Sequence, residues 1–429
     1  MNGTESSAPP IHVLDDISGR YGGLAATSAP TEQPGRRVYF LVDLTRAAAA
    51  IVVVAEHVRA FVFMNFGETA NPSWTWKPFY FVTGLGHDAV MVFFVLSGFL
   101  VGGHVYTSIV ETKWSWAEYL VKRLSRLWVV LFPALMLTCV WDQIGIHLTH
   151  SSMYSGGLYD YYLSTPRPGE QDAIYSLSTS MWNLLFLQTL DLPYIGTVPT
   201  FGTNGPLWSL ANEFWYYILF PLILIPLWSR DRAAASGFLM LAAAMIVCIA
   251  LPRTMVFSGS IWLMGAAVYI FDRNVALPRT AYCAIGWISA ALFGLTLFVT
   301  RTGEPGLRSD LLVGVTFSAL LAALVRSTSA NGPIVAMSRH LANFSYTLYL
   351  THFSLAALLA CLVLKNRRLE PSPSAFLLFA SAVVLLLIYS YGVSLLFENN
   401  TQAVQAYFLR RLRKRSPVAD RVLSPSASG

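Results

Sequence analysis

Charge is scarce in this 429-residue chain: Asp, Glu, Lys and Arg make up 12% of it, against 55% hydrophobic residues. Soluble domains carry about a quarter charged residues, so a water-soluble enzyme of one to three domains is excluded, in line with a mean hydropathy of +0.53. Cysteine is scarcer still. Cys139, Cys248, Cys283 and Cys361 fall inside apolar segments, far apart and without metal-ligand spacing, so they read as small buried hydrophobes and no metal site is expected. The net charge of +6 comes without any single basic patch of the kind nucleic acid requires, so no nucleic-acid partner is expected.

What the chain does have is long apolar runs. Ten stretches follow Arg36, at about 38–63, 88–109, 127–147, 206–228, 233–251, 254–271, 280–300, 311–326, 341–364 and 374–397. At about 20 residues per span, this is an all-α integral membrane protein with about ten transmembrane helices. Residues 1–36 are polar and rich in Ser, Pro, Gly and Thr, and read as a disordered cytoplasmic leader. Residues 37–398 form the polytopic domain and 399–429 a basic cytoplasmic tail. With both termini cytoplasmic, 19 of the 29 basic residues fall inside and 8 outside, as the positive-inside rule requires. A multi-pass protein of the cell membrane, in contact with lipid, follows. The outer loop 148–205 is long enough to carry a lid or a re-entrant element.

Ionisable residues inside spans call for explanation. The first span holds Asp43, Arg46, Glu56, His57 and Arg59. Asp43 and Arg46 are three apart and can pair. His57 follows Arg46 by eleven residues, which returns it to within about 20° of the same face and about 16.5 Å further along the axis. Arg59 points to the opposite face and is expected to snorkel outward. In the second span, Ser97 and Gly98 with Gly102 and Gly103 form a small-residue strip suited to close helix packing, while His87 and Asp88 stand at its boundary. Lys122, Arg123 and Arg126 lie on an amphipathic stretch before the third span, which reads either as an interfacial helix or as a phosphate-binding surface. In the fourth span Ser209, Glu213 and Tyr216 or Tyr217 share a face beside Trp208, and Glu213 reaches a depth similar to His57, where a carboxylate could orient the imidazole. In the ninth, Ser345, Tyr349 and His352 share another. Helix-packing hydrogen bonds would account for the same residues structurally.

Together these segments resemble the membrane-bound acyltransferase family 3, the OafA-like proteins that O-acylate surface and extracellular glycans. The likeness rests on Asp43–Leu44 with Arg46 and His57, on Phe93 through Phe99, and on Arg123, Arg126 and Pro133. It continues with Leu207 through Leu210 and Glu213, and with Ser345–Tyr346 through His352. Thr45 departs from the pattern, since many relatives carry an apolar residue or glycine there. The resemblance implies an acyl-coenzyme A donor, most often acetyl-CoA, and a saccharide or glycoside hydroxyl as acceptor, as in exopolysaccharide or lipopolysaccharide O-acetylation. It implies a stand-alone form without a C-terminal hydrolase-like domain. On this reading His57 is the base, directly or by way of an acyl-histidine, and Glu213 orients it or contacts the acceptor. Arg46 with Asp43 and Lys122, Arg123 and Arg126 hold the donor. Trp208, Ser209, Tyr217, Tyr349, His352 and Ser97 line the site.

Two other classes compete. A glycan or lipid exporter would share the polytopic pattern, but the two halves of the chain show no internal repeat. A sensor or scaffold in a glycan-assembly complex would leave the convergence of polar residues on the first, fourth and ninth spans unexplained.

Overall fold

The computed structural model describes residues 40–414 apart from 71–72, 158–166, 168, 170, 229–233, 304–305, 327–332 and 366. The expected leader, and the basic residues Arg230, Arg232, Arg415 and Arg421, lie outside the described residues. In hydrocarbon every backbone polar group needs a partner within the protein, which favours helices, and each apolar stretch is helical. They are α1 (Phe40–Val62), α2 (Gly86–Ser97) continuing into α3 (Gly103–Val110), α4 (Trp116–Thr149), α5 (Trp208–Trp228) and α6 (Ala234–Ala250). After these come α7 (Arg253–Asn274), α8 (Arg279–Thr302), α9 (Leu307–Leu324), α10 (Pro333–Leu364) and α11 (Pro373–Leu396), with the amphipathic α12 (Thr401–Lys414) last.

Among the described residues, eight helical segments are long and apolar enough to cross a membrane. The two remaining stretches are also helices, but α6 has only 17 residues and α1 carries Asp43, Arg46, Glu56 and Arg59. The chain is therefore an all-α, multi-pass membrane protein. Large apolar side chains such as Trp287, Ile249 and Phe238 stand exposed on its flanks, as expected of surface that faces lipid.

Helix α1 packs against α10, α2 and α11, and α10 also packs on α4, so the most polar span is surrounded by protein. Between α2 and α3 the chain makes one π-helical turn, Gly98–Gly102. There α2 meets α7 backbone to backbone: a Cβ on Gly98 would strike the Trp262 carbonyl, and one on Gly265 would strike that of Val95. The small-residue strip is thus a packing surface.

The stretch with Lys122, Arg123 and Arg126 is not a separate interfacial helix. It forms the first turns of the 34-residue α4, with Pro133 inside and Ser115 accepting from the Glu118 N–H as the N-cap. The segment 171–205 holds two short helices (Gln171–Ile174 and Leu177–Leu184) and an antiparallel hairpin pairing Asp191 with Thr197. It dips into the bundle: Trp128 donates to the Leu184 carbonyl at 2.8 Å, Trp215 donates to that of Phe186 at 3.0 Å, and Phe186 stacks on Phe214. Its return is pinned by buried Asp142, which accepts from the Thr203 N–H and hydroxyl, both at 2.7 Å.

Candidate active site

Two cavities lie back to back. The first, about 200 Å³, is basic: Arg46 of α1, His104 of α3 and Lys122, Arg123 and Arg126 of α4 line it, with Glu213, Tyr217, Tyr346 and the α12 residues Gln402 and Gln405. The second, about 340 Å³, is lined by Glu56, His57, Arg59, Gly86, His87, Trp208 and Phe353. Val90 and Tyr349 line both and form the wall between them. Arg46 and His57 stand on opposite sides of that wall, separated along one helix face as their spacing predicts.

In the basic cavity Asp43 and Arg46 approach to 3.5 Å. The Arg123 guanidinium lies over the rings of Tyr119 and Tyr217, with its Nε buried and without a hydrogen-bond partner among the described residues. Arg126 lies over Tyr346 and 3.8 Å from Glu398. Glu398, just before α12, accepts from the Thr347 hydroxyl at 2.5 Å, which ties the basic tail helix to α10. The tail expected only as a cationic surface segment therefore contributes directly to a cavity wall.

Glu213 stays within this first cavity. Its carboxylate accepts from Ser97 at 2.8 Å and from Tyr217 in a short hydrogen bond, and Ser97 accepts from the Trp262 indole at 3.1 Å. Of the two candidate tyrosines, Tyr217 shares the Glu213 face, while the Tyr216 hydroxyl donates to the Met255 carbonyl. Tyr349 OH lies 2.8 Å from Ser209 Oγ and donates to the Pro206 carbonyl at 3.1 Å, which fixes the tyrosine in the wall.

The expected partnership of Glu213 with His57 is corrected by this geometry. His57 Nδ1 lies 2.8 Å from Nε2 of His352, and the two rings are nearly parallel. His352 Nδ1 lies 2.7 Å from the Leu348 carbonyl, which can only accept. In the neutral pair this fixes both tautomers: His352 donates through Nδ1 and accepts at Nε2 from His57 Nδ1–H, leaving the lone pair of His57 on Nε2. The edge of Phe353 packs against His57. A base held by an orienting group is what proton abstraction from an alcohol requires.

Arg59 does not snorkel. It is buried, donates to the Thr83 carbonyl at 3.3 Å, lies over Tyr80 and lines the histidine cavity. His87, singled out only as a boundary residue, is 2.9 Å from Asp310 and faces the Trp208 ring. His104, Gln402 and Gln405 carry no motif that singles them out in the sequence. No group of three or more potential metal ligands is found among the described residues.

The acyltransferase domain family model matches residues 40–398. The chain is 28% identical to nodulation protein 10 of Rhizobium leguminosarum bv. viciae over 56% of its own length and 54% of that protein. It is 26% identical to a protein of Bacillus subtilis (strain 168) assigned as peptidoglycan O-acetyltransferase YrhL, over 64% of this chain and 44% of that one. The chain thus spans about half the length of these curated relatives. No solved structure matches it significantly. The family match runs from the start of α1 to just past the end of α11 and takes in the histidine cavity and all of the basic cavity except its α12 residues: the chain belongs to the acyltransferase 3 family of membrane proteins.

Proposed function

We propose that the protein is a membrane O-acyltransferase that moves an acyl group, acetyl in the first instance, from cytosolic acyl-CoA to a hydroxyl of an extracytoplasmic or lipid-linked saccharide. The observation that carries this reading is His57, backed by the buried His352, in a cavity that shares one wall with a basic cavity. Lys122, Arg123 and Arg126 suit the phosphates of coenzyme A. Arg46, further in, suits the pantetheine end, and the thioester passes Tyr349 to meet the acceptor. His57 Nε2 takes the hydroxyl proton as the alcohol oxygen attacks the thioester carbon. The C–S bond then breaks, the ester is released, and the proton goes from His57 to the departing coenzyme A sulfur. His352 holds His57 in the reactive tautomer and accepts a stronger hydrogen bond as the imidazolium forms. The family membership supports acyl transfer, and the name of the Bacillus relative supports a glycan acceptor.

The test is direct. Purified protein given labelled acetyl-CoA and a glycan acceptor is expected to transfer label, and His57→Ala to lower the rate by about 10²–10⁴-fold at unchanged membrane abundance. Transfer by the alanine variant at the wild-type rate refutes the assignment of the base.

A further inference from the structure

The histidine cavity contains more chemistry than a base needs. Glu56 and Arg59 of α1, His87 of α2 and Trp208 of α5 all line it, and the reaction above gives none of them a task. Its volume of about 340 Å³ stands at the small end of ligand cavities, about 300–1,000 Å³. That suits one ring of a hydroxylated molecule.

Glu56 is the most informative of these groups. A carboxylate inside a span is costly and marks function by default, yet among the described residues Glu56 makes no hydrogen bond and no ion pair within 4 Å. Room for it is built into the fold: a methyl group on Gly86 would collide with its carboxylate. Arg59, His87 and Arg301 lie within electrostatic reach of it, as does Asp88, so the cavity is close to neutral and does not favour a phosphate or a uronate. Asp310 pins His87 with its ring nearly parallel to Trp208, centroids 6.1 Å apart.

We propose that this cavity is the subsite for one pyranose unit of the acceptor, in which Glu56 accepts hydrogen bonds from ring hydroxyls beside the one acylated and Trp208 faces the ring's C–H surface. A carboxylate has two oxygens and only acceptor capacity, which matches a pair of neighbouring hydroxyls. The carboxylate is partly exposed to the cavity, and a sugar there supplies the donors that the protein leaves out. Glu56 and His57 line the same cavity, so the hydroxyl next to those that Glu56 holds is delivered to the base. The acyl-transfer reading is needed here only to say which hydroxyl reacts; binding of the ring stands by itself.

The two are separated by measuring binding without turnover. Saturation-transfer NMR is recorded on the full-length protein in nanodiscs with methyl β-glucopyranoside, methyl N-acetyl-β-glucosaminide and, as a ring lacking a diol, cyclohexanol. Saturable binding of at least one glycoside and none of cyclohexanol is expected. Glu56→Gln and Trp208→Leu should each weaken that binding at least tenfold, as should Gly86→Ala, which keeps the carboxylate and displaces it. Absence of saturable glycoside binding in the wild type, or affinities within twofold of wild type in both Glu56→Gln and Trp208→Leu, overturns the subsite. Glu56-dependent binding without acyl transfer from labelled acetyl-CoA keeps the subsite and overturns the transferase reading.

Discussion

A histidine backed by a second histidine differs from one backed by a carboxylate. The orienting ring is neutral in the tautomer that the Leu348 carbonyl imposes, so it fixes direction and accepts a hydrogen bond without adding a full negative charge. Losing it should therefore cost orientation first. His352→Ala is expected to lower kcat by about 10–10²-fold, less than the loss of the base itself, with the KM for acyl-CoA unchanged. His352→Gln, whose amide oxygen can accept from His57 Nδ1–H, should recover part of it; steady-state kinetics of both variants decide. At this scale the sequence is legible along one helix and silent between helices. Spacing places Arg46 and His57 on one face. It also puts Glu213 and His352 at comparable depths and cannot say which of them His57 meets, because that depends on α10 rather than α5 packing beside α1. Arg59 was misread for the same reason: the face opposite His57 borders Tyr80 and Thr83, not lipid.

Among the elements, the joint between α2 and α7 is the least tolerant. Gly98 and Gly265 face backbone carbonyls that cannot retreat as a flexible side chain can. Gly98→Ala should cost about 1–3 kcal/mol, read as a lower thermal midpoint in detergent, whereas Gly294→Ala, which meets nothing within 4 Å, should leave it unchanged. A second joint lies outside the spans, where the chain after α1 meets the chain before α11. There Phe63 pairs with Leu369 and Glu68 meets Arg368 at 2.8 Å. The Asn65 N–H and, beyond it, Arg368 hold the Glu68 carboxyl below its usual range. A depressed carboxylate contributes stability above its unfolded pKa, about 4.3, and loses that contribution as pH falls through the folded value. Hydrogen-exchange protection at residues 64–70 and 367–370, taken relative to the intrinsic rate at each pH, should therefore fall below about pH 4 in the wild type, and Glu68→Gln should show reduced protection already at pH 6. Helix existence was legible in these elements because the apolar runs are long. The course of 171–205 was not, since its dip depends on single indole hydrogen bonds from Trp128 and Trp215 that no periodicity announces.

For the molecule as a whole, the arrangement of α1–α12 places Arg46, Lys122, Arg123 and Arg126 on one side of the wall and His57 on the other. With the basic end cytoplasmic, Tyr194→Cys, at an exposed hairpin tip, should react with an impermeant maleimide added outside intact cells. Lys113→Cys, between α3 and α4, should react only after permeabilisation; the native cysteines are replaced first. The reverse pattern would invert the proposed direction of transfer. Low charge content indicated the solvent, and the positions of the few ionisable residues in α1, α5 and α10 indicated where chemistry could reside. The division into two cavities was hidden, because Tyr349 reads as one more polar residue on a helix face until Ser209 and Pro206 are seen to hold it.

That wall has an electrical consequence. Where open cavities enter a membrane protein from both ends, the transmembrane voltage falls mainly across the thin partition that remains, here the thickness of Val90 and the Tyr349 ring. A unit charge crossing it would exchange about 2.3 kcal/mol per 100 mV with the membrane field. In the proposed reaction the acyl group is neutral and would cross without that exchange, while the coenzyme phosphates would stay behind on the basic side. On the proposed reading, a cell would decorate sugars on the far face of an energised membrane without drawing on its potential.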